Sequence, residues 1–164
     1  IKNIQKETPN SVSIEFEIPS EHQNDYTFKA GQFLTLRADI KGEDVRRSYS
    51  ICSTPNSGEL KVVVKQIPTG KFSNYAATHL KAGDKIDVAK PTGTFLLETK
   101  ADNSKKYVLI AAGSGITPII SILKLSSTKP PHLLPFFLLF QPPLQLCPPC
   151  KKHFLANDHN LLCK

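Results

Sequence analysis

The first hundred residues contain a series of short runs in which apolar and polar residues alternate, and this pattern constrains the fold most. In the run SVSIEFEI (11–18), the apolar residues at positions 12, 14, 16 and 18 lie on one face of an extended chain. The alternation predicts a strand with one buried side and one polar, solvent-facing side. Similar strands are predicted at residues 32–40, 46–52, 59–67 and 84–90.

Turn signals built on glycine and proline separate these runs. They lie at Gly31 and at residues 41–42, 55–58, 82–83 and 91–93. Several short strands with such close spacing are typical of an antiparallel sandwich or barrel. One helix is predicted within this region, at residues 71–80, because Phe72, Tyr75, Ala76 and Leu80 recur at helical spacing after Gly70.

The pattern changes after residue 104. The stretch KYVLIAAGSGITPIISILK (106–124) has a continuous apolar run, a glycine turn and the start of an apolar helix. This order is typical of the first βα unit of a nucleotide-binding α/β domain.

Residues 125–164 have a different composition from the rest of the chain. They contain no glycine and one acidic residue, Asp158, but seven of the 13 prolines and three of the four cysteines. We expect a disordered or frame-shifted tail, because paired prolines without glycine interrupt helices and strands. The alternative is a zinc site in the tail that stabilises a nucleic-acid binder. Its candidate ligands are Cys147, Cys150, His153, His159 and Cys163.

Length and charge narrow the functional classes. A chain of 164 residues holds one well-buried domain, or one small domain and part of a second. With 21 basic and 14 acidic residues, anionic partners such as nucleotides are favoured. No run of 18 apolar residues occurs, so neither a membrane span nor a membrane partner is expected, and a cytoplasmic location is the default.

The run RRSYS (46–50) holds the first candidate binding residues. In a strand, Arg47 and Tyr49 project to the same side and present a guanidinium beside an aromatic ring, while Ser50 offers a hydroxyl and a backbone N–H. The second candidate is the start of the predicted helix, where the free N–H groups of Lys71, Phe72 and Ser73 form an anion site to which Ser73 can add its hydroxyl. Taken separately, the RRSYS run is better explained as an ordinary exposed strand, and the helix start is equally consistent with a helix packed on the core.

Together and in this order, the motifs resemble the ferredoxin–NADP reductase superfamily, particularly the reductase components of phenylacetyl-coenzyme A oxygenases. The matching segments are GQFLTLRADIKGEDVRRSYSICSTP, GELKVVVKQIPTGKFSNYAATHLKAGDKIDV, PTGTF and AAGSGITPIISILK. The resemblance implies a mainly β fold: an antiparallel Greek-key FAD-binding barrel with a capping helix at residues 1–100. It places the start of an incomplete NAD(P)-binding α/β domain at 104–124, followed by the atypical tail at 125–164.

The resemblance also implies roles for single residues. Arg47 would bind the FAD diphosphate, Tyr49 would pack on the flavin, and Ser50 would hydrogen-bond near flavin N5, which makes Ser50 the candidate catalytic residue. The other residues implied to bind FAD are Ser48, Val63, Val64, Lys65, Gly70, Lys71, Phe72 and Ser73. Those implied to bind NAD(P)H are Gly113, Ser114, Gly115, Ile116, Thr117 and Pro118.

The function implied by the resemblance is an FAD-dependent NAD(P)H oxidoreductase that passes electrons to a redox partner protein or an oxygenase component. We expect the NAD(P)H site to be incomplete in this chain, and we predict no [2Fe–2S] cluster, because Cys147, Cys150 and Cys163 lack the plant-type spacing. The alternatives are a flavin-binding or protein-interaction module without reductase activity, and the zinc-dependent nucleic-acid binder. No nucleic-acid partner is expected, since the tail has few charges.

Overall fold

A computed structural model describes residues 1–97, residue 109 and residues 111–127 of the chain. The predicted strand before the glycine turn lies almost wholly outside these residues, as does the tail after residue 127 with its cysteines and histidines. In the part of the chain that is described, no helix is long and apolar enough to cross a membrane.

Six strands and two α-helices make up the described chain. The strands are β1 (Asn3–Thr8), β2 (Ser11–Phe16), β3 (Phe33–Ile40), β4 (Glu43–Ser50), β5 (Leu60–Lys65) and β6 (Asp87–Val88). The helices are α1 (Lys71–Thr78) and α2 (Ile116–Ser127), with short 3-10 turns at Ser20–Tyr26 and Gly113–Gly115.

The strands form two antiparallel three-stranded sheets, with the orders β1-β2-β5 and β4-β3-β6. A bridge between Ile51, just after β4, and Val62 in β5 connects the two sheets. The spatial order β6-β3-β4-β5 is therefore a Greek key, in which three consecutive neighbours are followed by a strand that returns beside the first. The mainly β, antiparallel architecture predicted from the sequence is confirmed.

The β3–β4 hairpin shows how local sequence fixes register. Its two loop residues, Lys41 and Gly42, both have positive φ, at 56° and 81°. Two-residue loops of this kind match the twist of the flanking strands. The amide of Gly42 donates to Asp39 Oδ1 at 2.8 Å, and the strands then pair from Ile40↔Glu43 to Phe33↔Ser50.

The core lies between the two sheets and is covered by α1. Its members are buried apolar side chains: Val12, Ile14, Phe16, Leu34, Leu36, Val45, Ile51, Leu60, Val62, Val64, Phe72, Ala76 and Leu80. The helix contributes Phe72 and Ala76, and Leu80 follows just after its end, at the spacing predicted from the sequence. Phe72 is the largest of the fully buried side chains, with 1% of its surface exposed.

Strand β2 differs from the prediction of one solvent-facing side. Ser13 and Glu15, on the polar face, are also buried. Strand β2 lies between β5 and β1, a strand that the sequence did not indicate, and side chains from the segments on both sides cover its polar face. The Glu15 carboxylate is covered by lysines, with Oε1 at 2.7 Å from Lys2 Nζ and Oε2 at 3.8 Å from Lys61 Nζ. Long lysine stems on neighbouring segments thus turn an alternating strand into one buried on both sides.

Candidate functional site

Strand β4 positions the first site residues. Arg47 pairs with Leu36 and Tyr49 pairs with Leu34, and both leucines are fully buried. Arg47 and Tyr49 therefore lie on the core-facing side of the strand, which they share with the buried Val45. The structure brings the two side chains onto one face, as the strand pattern predicts.

The guanidinium of Arg47 is exposed and has one hydrogen-bond acceptor, the carbonyl oxygen of Arg46, at 2.6 Å from Nη1. Among the residues that the structure describes, no carboxylate pairs with Arg47. The two other arginines of this hairpin are both paired, since Arg37 and Arg46 bind Asp44 at 3.1 and 2.9 Å. The charge of Arg47 thus remains available to an anionic ligand.

Tyr49 presents an aromatic surface next to Arg47. Its ring centroid lies 5.6 Å from that of Phe72 in α1, so the capping helix supports the ring from the core side. Burial raises the pKa of Tyr49 to about 12, although the nearby charge of Arg47 acts in the opposite direction. The phenol is therefore neutral over the physiological range, which suits contact with a flat heteroaromatic group.

Ser48 and Ser50 lie on the opposite face of β4. The Ser48 hydroxyl is 2.9 Å from the hydroxyl of Thr35 on β3, so its side chain is directed away from Arg47 and Tyr49. Ser50 pairs with Phe33 at the end of the strand and is half-buried. The register thus separates the two serine side chains from the Arg47–Tyr49 face, which the residue types alone did not reveal.

The start of α1 supplies uncapped backbone donors. Gly70 occupies the N-cap position without a side-chain hydrogen bond, and the first intrahelical bond runs from the Asn74 amide to the Gly70 carbonyl at 3.0 Å. The amides of Lys71, Phe72 and Ser73 precede that bond and lack helical acceptors, which makes this end of the helix attractive to an anion.

Two side chains at this helix start have other partners. The Ser73 hydroxyl donates to the Gly70 carbonyl at 3.2 Å and accepts from the Ile67 amide at 3.3 Å. With the hydroxyl engaged by the backbone in this way, the group that Ser73 offers to an anion is its backbone N–H. The Lys71 ammonium pairs with the Glu43 carboxylate, which lies at the start of β4.

Strand β5 borders the same region. Its pairing with the segment after β4 consists of the Ile51↔Val62 bridge and the bond from the Cys52 amide to the Lys61 carbonyl, 2.9 Å. Among the described residues no further backbone pairing joins β4 and β5, and the antiparallel register puts Val64 across from Tyr49. Val64 is buried, so a ligand between the strands would meet the backbone of residues 63–65 rather than the Val64 side chain.

The glycine turn and α2 form the second candidate region. Gly113 has a φ of +57°. At either Gly113 or Gly115, the position of a Cβ has no atom of the described residues within 4 Å, apart from the glycine's own chain neighbours. Thr117 Oγ1 donates to the Ser114 carbonyl at 2.9 Å and closes the turn. Left-handed backbone explains the glycine at 113. Within the described residues, neither φ nor packing explains the glycine at 115.

The helix prediction for this segment is confirmed in part. Helix α2 begins at Ile116, which places Thr117 and Pro118 in its first turn. Proline is tolerated there because its missing N–H would be unbonded anyway. The strand predicted before the turn falls on residues outside the described part of the chain.

Some contacts of the site region involve residues that no sequence motif indicated. Glu43 pairs with Lys71, and the Ser121 hydroxyl donates to the Ser53 carbonyl at 2.6 Å. A Cβ at Gly31, whose φ is +99°, would lie 1.9 Å from the Phe95 carbonyl oxygen. The sequence indicated a turn at Gly31. It did not indicate the other two contacts, because they join residues that are far apart in the sequence.

These observations fit a dinucleotide with a diphosphate. Three features lie where β4 and β5 are not paired on an antiparallel Greek-key scaffold. They are an arginine with no carboxylate partner among the described residues, a partly buried tyrosine ring and an uncapped helix N-terminus. Positive charge and backbone donors suit the diphosphate, and the ring suits the heteroaromatic end. The fold and site together define a dinucleotide-binding β-domain.

The comparisons with known proteins agree. The family model described as the oxidoreductase FAD-binding domain matches residues 1–96, and the chain belongs to this family. One component of the 1,2-phenylacetyl-CoA epoxidase of Escherichia coli K12 is 42% identical over 123 residues, covering 75% of this chain and 35% of that protein. The ferredoxin reductase component of 3-ketosteroid-9-alpha-monooxygenase from Rhodococcus rhodochrous is 37% identical over 132 residues, covering 79% and 36%.

A solved structure supports the same assignment. The ferredoxin NADP⁺ reductase of Neisseria gonorrhoeae with bound FAD and NADP superposes with a TM-score of 0.65 at 28% identity, over 85% of this chain and 54% of that one. The predicted membership of the ferredoxin–NADP reductase superfamily and the predicted cofactor, FAD, are confirmed. The chain spans about a third of the length of the two oxygenase-system relatives.

Proposed function

We propose that this chain is the FAD-binding part of an NAD(P)H-dependent reductase that passes electrons to an oxygenase component. The observation that carries the proposal is the position of Arg47, free of any carboxylate among the described residues. It lies between Glu43 and Tyr49 on one face of β4, and these two residues contact Lys71 and Phe72 at the uncapped start of α1. The chain belongs to the oxidoreductase FAD-binding domain family. Relatives named as a component of an epoxidase and a reductase component of a monooxygenase support the electron-transfer role. The 42% identity to the first favours an oxygenase of the phenylacetyl-CoA type.

Arg47 and the backbone amides at the start of α1 would hold the FAD diphosphate. The guanidinium supplies a two-pronged donor, and the amides of Lys71, Phe72 and Ser73 supply further donors at the positive end of the helix dipole. Gly70 would let the diphosphate approach the helix start without meeting a side chain. A larger residue at this position would also clash with the protein, because its Cβ would lie 2.3 Å from Ser73 Oγ.

Tyr49, supported by Phe72, would pack on the flavin, and the backbone of residues 63–65 would line its other side. Ser48 would contribute through its backbone, since its hydroxyl is directed at Thr35. Ser50 would hydrogen-bond near flavin N5 through its backbone N–H at the end of β4, since its side chain lies on the other face of the strand. In the bound state, FAD supplies the capacity to accept a hydride at N5, and these residues orient it and exclude water from one face.

The NAD(P)H part of the proposal rests on the glycine turn. Gly113, Ser114 and Gly115 leave open backbone for a second diphosphate, and residues 116–118 form the first helical turn behind it. We place the boundary between the FAD-binding unit at 1–100 and the start of the NAD(P)-binding unit at 104–124. The absence of a [2Fe–2S] cluster and a cytoplasmic location stay predictions from the sequence.

The visible spectrum of the purified chain, incubated with FAD and freed of excess cofactor, tests the proposal. We expect a yellow protein that retains FAD. We expect only a slow loss of the flavin absorbance when NADPH or NADH is added without oxygen, because the NAD(P)H site of this chain is expected to be incomplete. A colourless protein that FAD does not reconstitute would overturn the proposed function. Retained FAD that neither nucleotide bleaches would limit the function to flavin binding.

A further inference from the structure

A buried hydrogen bond joins the two candidate nucleotide regions. The hydroxyl of Ser121 in α2 donates to the carbonyl oxygen of Ser53 at 2.6 Å. Ser121 is fully buried and Ser53 is 4% exposed. The two residues are 68 positions apart in sequence. A buried hydroxyl without an acceptor would be destabilising, so this bond fixes where α2 sits.

The acceptor, the Ser53 carbonyl, lies in a segment that follows β4 and is held by hydrogen bonds to its neighbours. The Ile51 amide donates to the Gln32 carbonyl, and the Cys52 amide donates to the Lys61 carbonyl, both at 2.9 Å. The Ser53 hydroxyl accepts from the Lys61 amide at 3.1 Å. Every residue from the end of β4 to Ser53 is therefore tied to a neighbouring segment, and Ser53 lies three residues after Ser50.

Helix α2 also packs against the turn before β3. The position of a Cβ at Gly31 lies 3.4 Å from Cδ1 of Ile122, the neighbour of Ser121. Ile119 and Ile122 are each 3% exposed. The helix thus rests on the FAD-binding unit through one directed polar bond and through apolar packing, two kinds of contact that are separable by mutation.

We propose that Ser121 is a positioning residue, whose hydrogen bond to Ser53 couples occupancy of the flavin site to the placement of α2 and its glycine turn. The inference rests on the proposed function, because it needs FAD at β4 and a nucleotide at residues 113–118. Apolar packing at Ile122 holds the helix against the FAD-binding unit. The bond from Ser121 selects one orientation, since a hydrogen bond is directional and dispersion contacts are not.

The physical consequence concerns distance. Transfer between two bound groups requires reacting atoms at about 3–3.5 Å, and a displacement of about 1 Å lowers rates by about 100-fold. Ser121 lies one helical turn after Thr117, and Ser53 lies three residues after Ser50. The bond between them sets the separation of the two elements more directly than apolar packing does, because both of its ends are buried and its geometry is fixed.

The test compares Ser121→Ala with Ile122→Val by hydrogen–deuterium exchange of the whole chain, with and without FAD. FAD binding is first measured for each variant by absorbance titration. In the unaltered chain we expect FAD to slow exchange of the α2 amides about fivefold, the effect of roughly one hydrogen bond. In Ser121→Ala we expect this FAD-dependent slowing to disappear, with FAD affinity within about twofold of the unaltered chain.

Two controls separate positioning from simple loosening of the helix. Ile122→Val removes buried packing and speeds exchange of α2, but it should keep the effect of FAD. Ser57→Ala deletes a similar bond, from the Ser57 hydroxyl to the Thr54 carbonyl at 2.7 Å within one turn, and should behave as the unaltered chain. An equal FAD effect in Ser121→Ala and the unaltered chain, or no effect in either, would overturn the positioning role. Failure of the unaltered chain to bind FAD would appear in the titration and would overturn the proposed function instead.

Discussion

Arg46 and Arg47 are adjacent in sequence, yet they lie in opposite electrostatic settings on the two faces of β4. Arg46 joins Asp44 at 2.9 Å, and Arg37 joins both Asp44 and, at 2.8 Å, Asp87. On this outer face, the exposed charges form ion pairs with one another. On the inner face, Arg47 lies beside Tyr49 and, among the described residues, has no carboxylate.

The difference teaches that partners, and not residue type, decide what an arginine does. Exposed ion pairs add little stability because water screens them, so the outer network contributes at most modestly. Arg47 lies beside an aromatic ring and, among the described residues, has no carboxylate partner, so it adds little to the stability of the fold. Its value lies in binding an anion, and we propose that this anion is the FAD diphosphate.

The largest effect is expected where the inner face meets the core. Phe72→Ala should lower the free energy of unfolding by about 3–5 kcal/mol, because it empties a buried site under Tyr49. Urea denaturation without FAD measures this loss. Phe95→Ala is the matched control, since Phe95 is 58% exposed, and a change within about 0.5 kcal/mol is expected there. Equal losses in the two variants would contradict the assignment of Phe72 as the inner support.

The neighbouring arginines allow a direct test of the comparison. Arg47→Ala should weaken FAD binding by about 1–3 kcal/mol, the range for a charge-assisted hydrogen bond. Arg46→Ala removes the same charge one residue earlier and should leave FAD affinity nearly unchanged, because its guanidinium is already paired. Fluorescence titration with FAD measures both. If the two variants lost equal affinity, net charge alone would explain the effect and the role of Arg47 would be wrong.

Two substitutions in the glycine turn test two different reasons for a glycine, namely backbone conformation and space for a ligand. Gly113→Ala should destabilise the chain by about 1 kcal/mol, because its φ of +57° is unfavourable for alanine. Gly115→Ala should leave the free energy of unfolding unchanged, since in the described part of the chain no atom beyond its chain neighbours lies near its Cβ position. It should still weaken NADH binding. Calorimetric unfolding and NADH titration of the FAD-loaded chain check the pair, and a stability loss at Gly115 would show that packing explains this glycine.

The inner face should respond to alkaline pH. Burial raises the pKa of Tyr49 to about 12 in the folded chain, against an ordinary value of about 10 when unfolded. The stabilisation from the neutral phenol is therefore complete below about pH 10 and is lost as the pH rises towards about 12. Partial exposure limits the effect to under ~1 kcal/mol. Tyr49→Phe should flatten this part of the stability profile, and an unchanged slope would contradict the burial of the phenol.

The outer face should respond to acid, with the smallest effect. Hydrogen bonds from Arg46 and Arg37 lower the pKa of Asp44. A carboxyl with a lowered folded-state pKa stabilises the fold above its unfolded pKa and loses that contribution as the pH falls below it. Asp44→Asn should therefore reduce the loss of stability below about pH 4, measured by urea denaturation across the acidic range. High salt should abolish the difference, because the group is exposed.

Much of the fold was predictable because it is local. Alternating residues indicated β2 to β5, the residues at 41–42 indicated the hairpin loop, and helical spacing indicated α1. Strand β1 was missed because NIQKET has one apolar residue and is held by pairing with β2. The two-residue length of β6 was also not predictable, since β6 extends only as far as it pairs with Leu36 and Arg37 of β3.

The candidate site was predictable in composition but not in orientation. The motif around Arg47 and Tyr49 indicated a shared face, and the register agrees. The Ser73 hydroxyl was expected to face an anion, but it is engaged by Gly70 and Ile67, because the loop before α1 closes on it. The pairing of Lys71 with Glu43 joins elements 28 residues apart, and no local pattern encodes such a contact.

By itself the sequence determined the antiparallel strands, the capping helix, the family and the residue types of the nucleotide sites, because these follow from spacing and local backbone preference. The tertiary structure alone decided which arginine keeps an available charge, which serine hydroxyls are already bonded, and that Ser121 reaches Ser53. These properties depend on atoms brought together from distant positions, where the presence or absence of a partner sets the chemistry of a side chain.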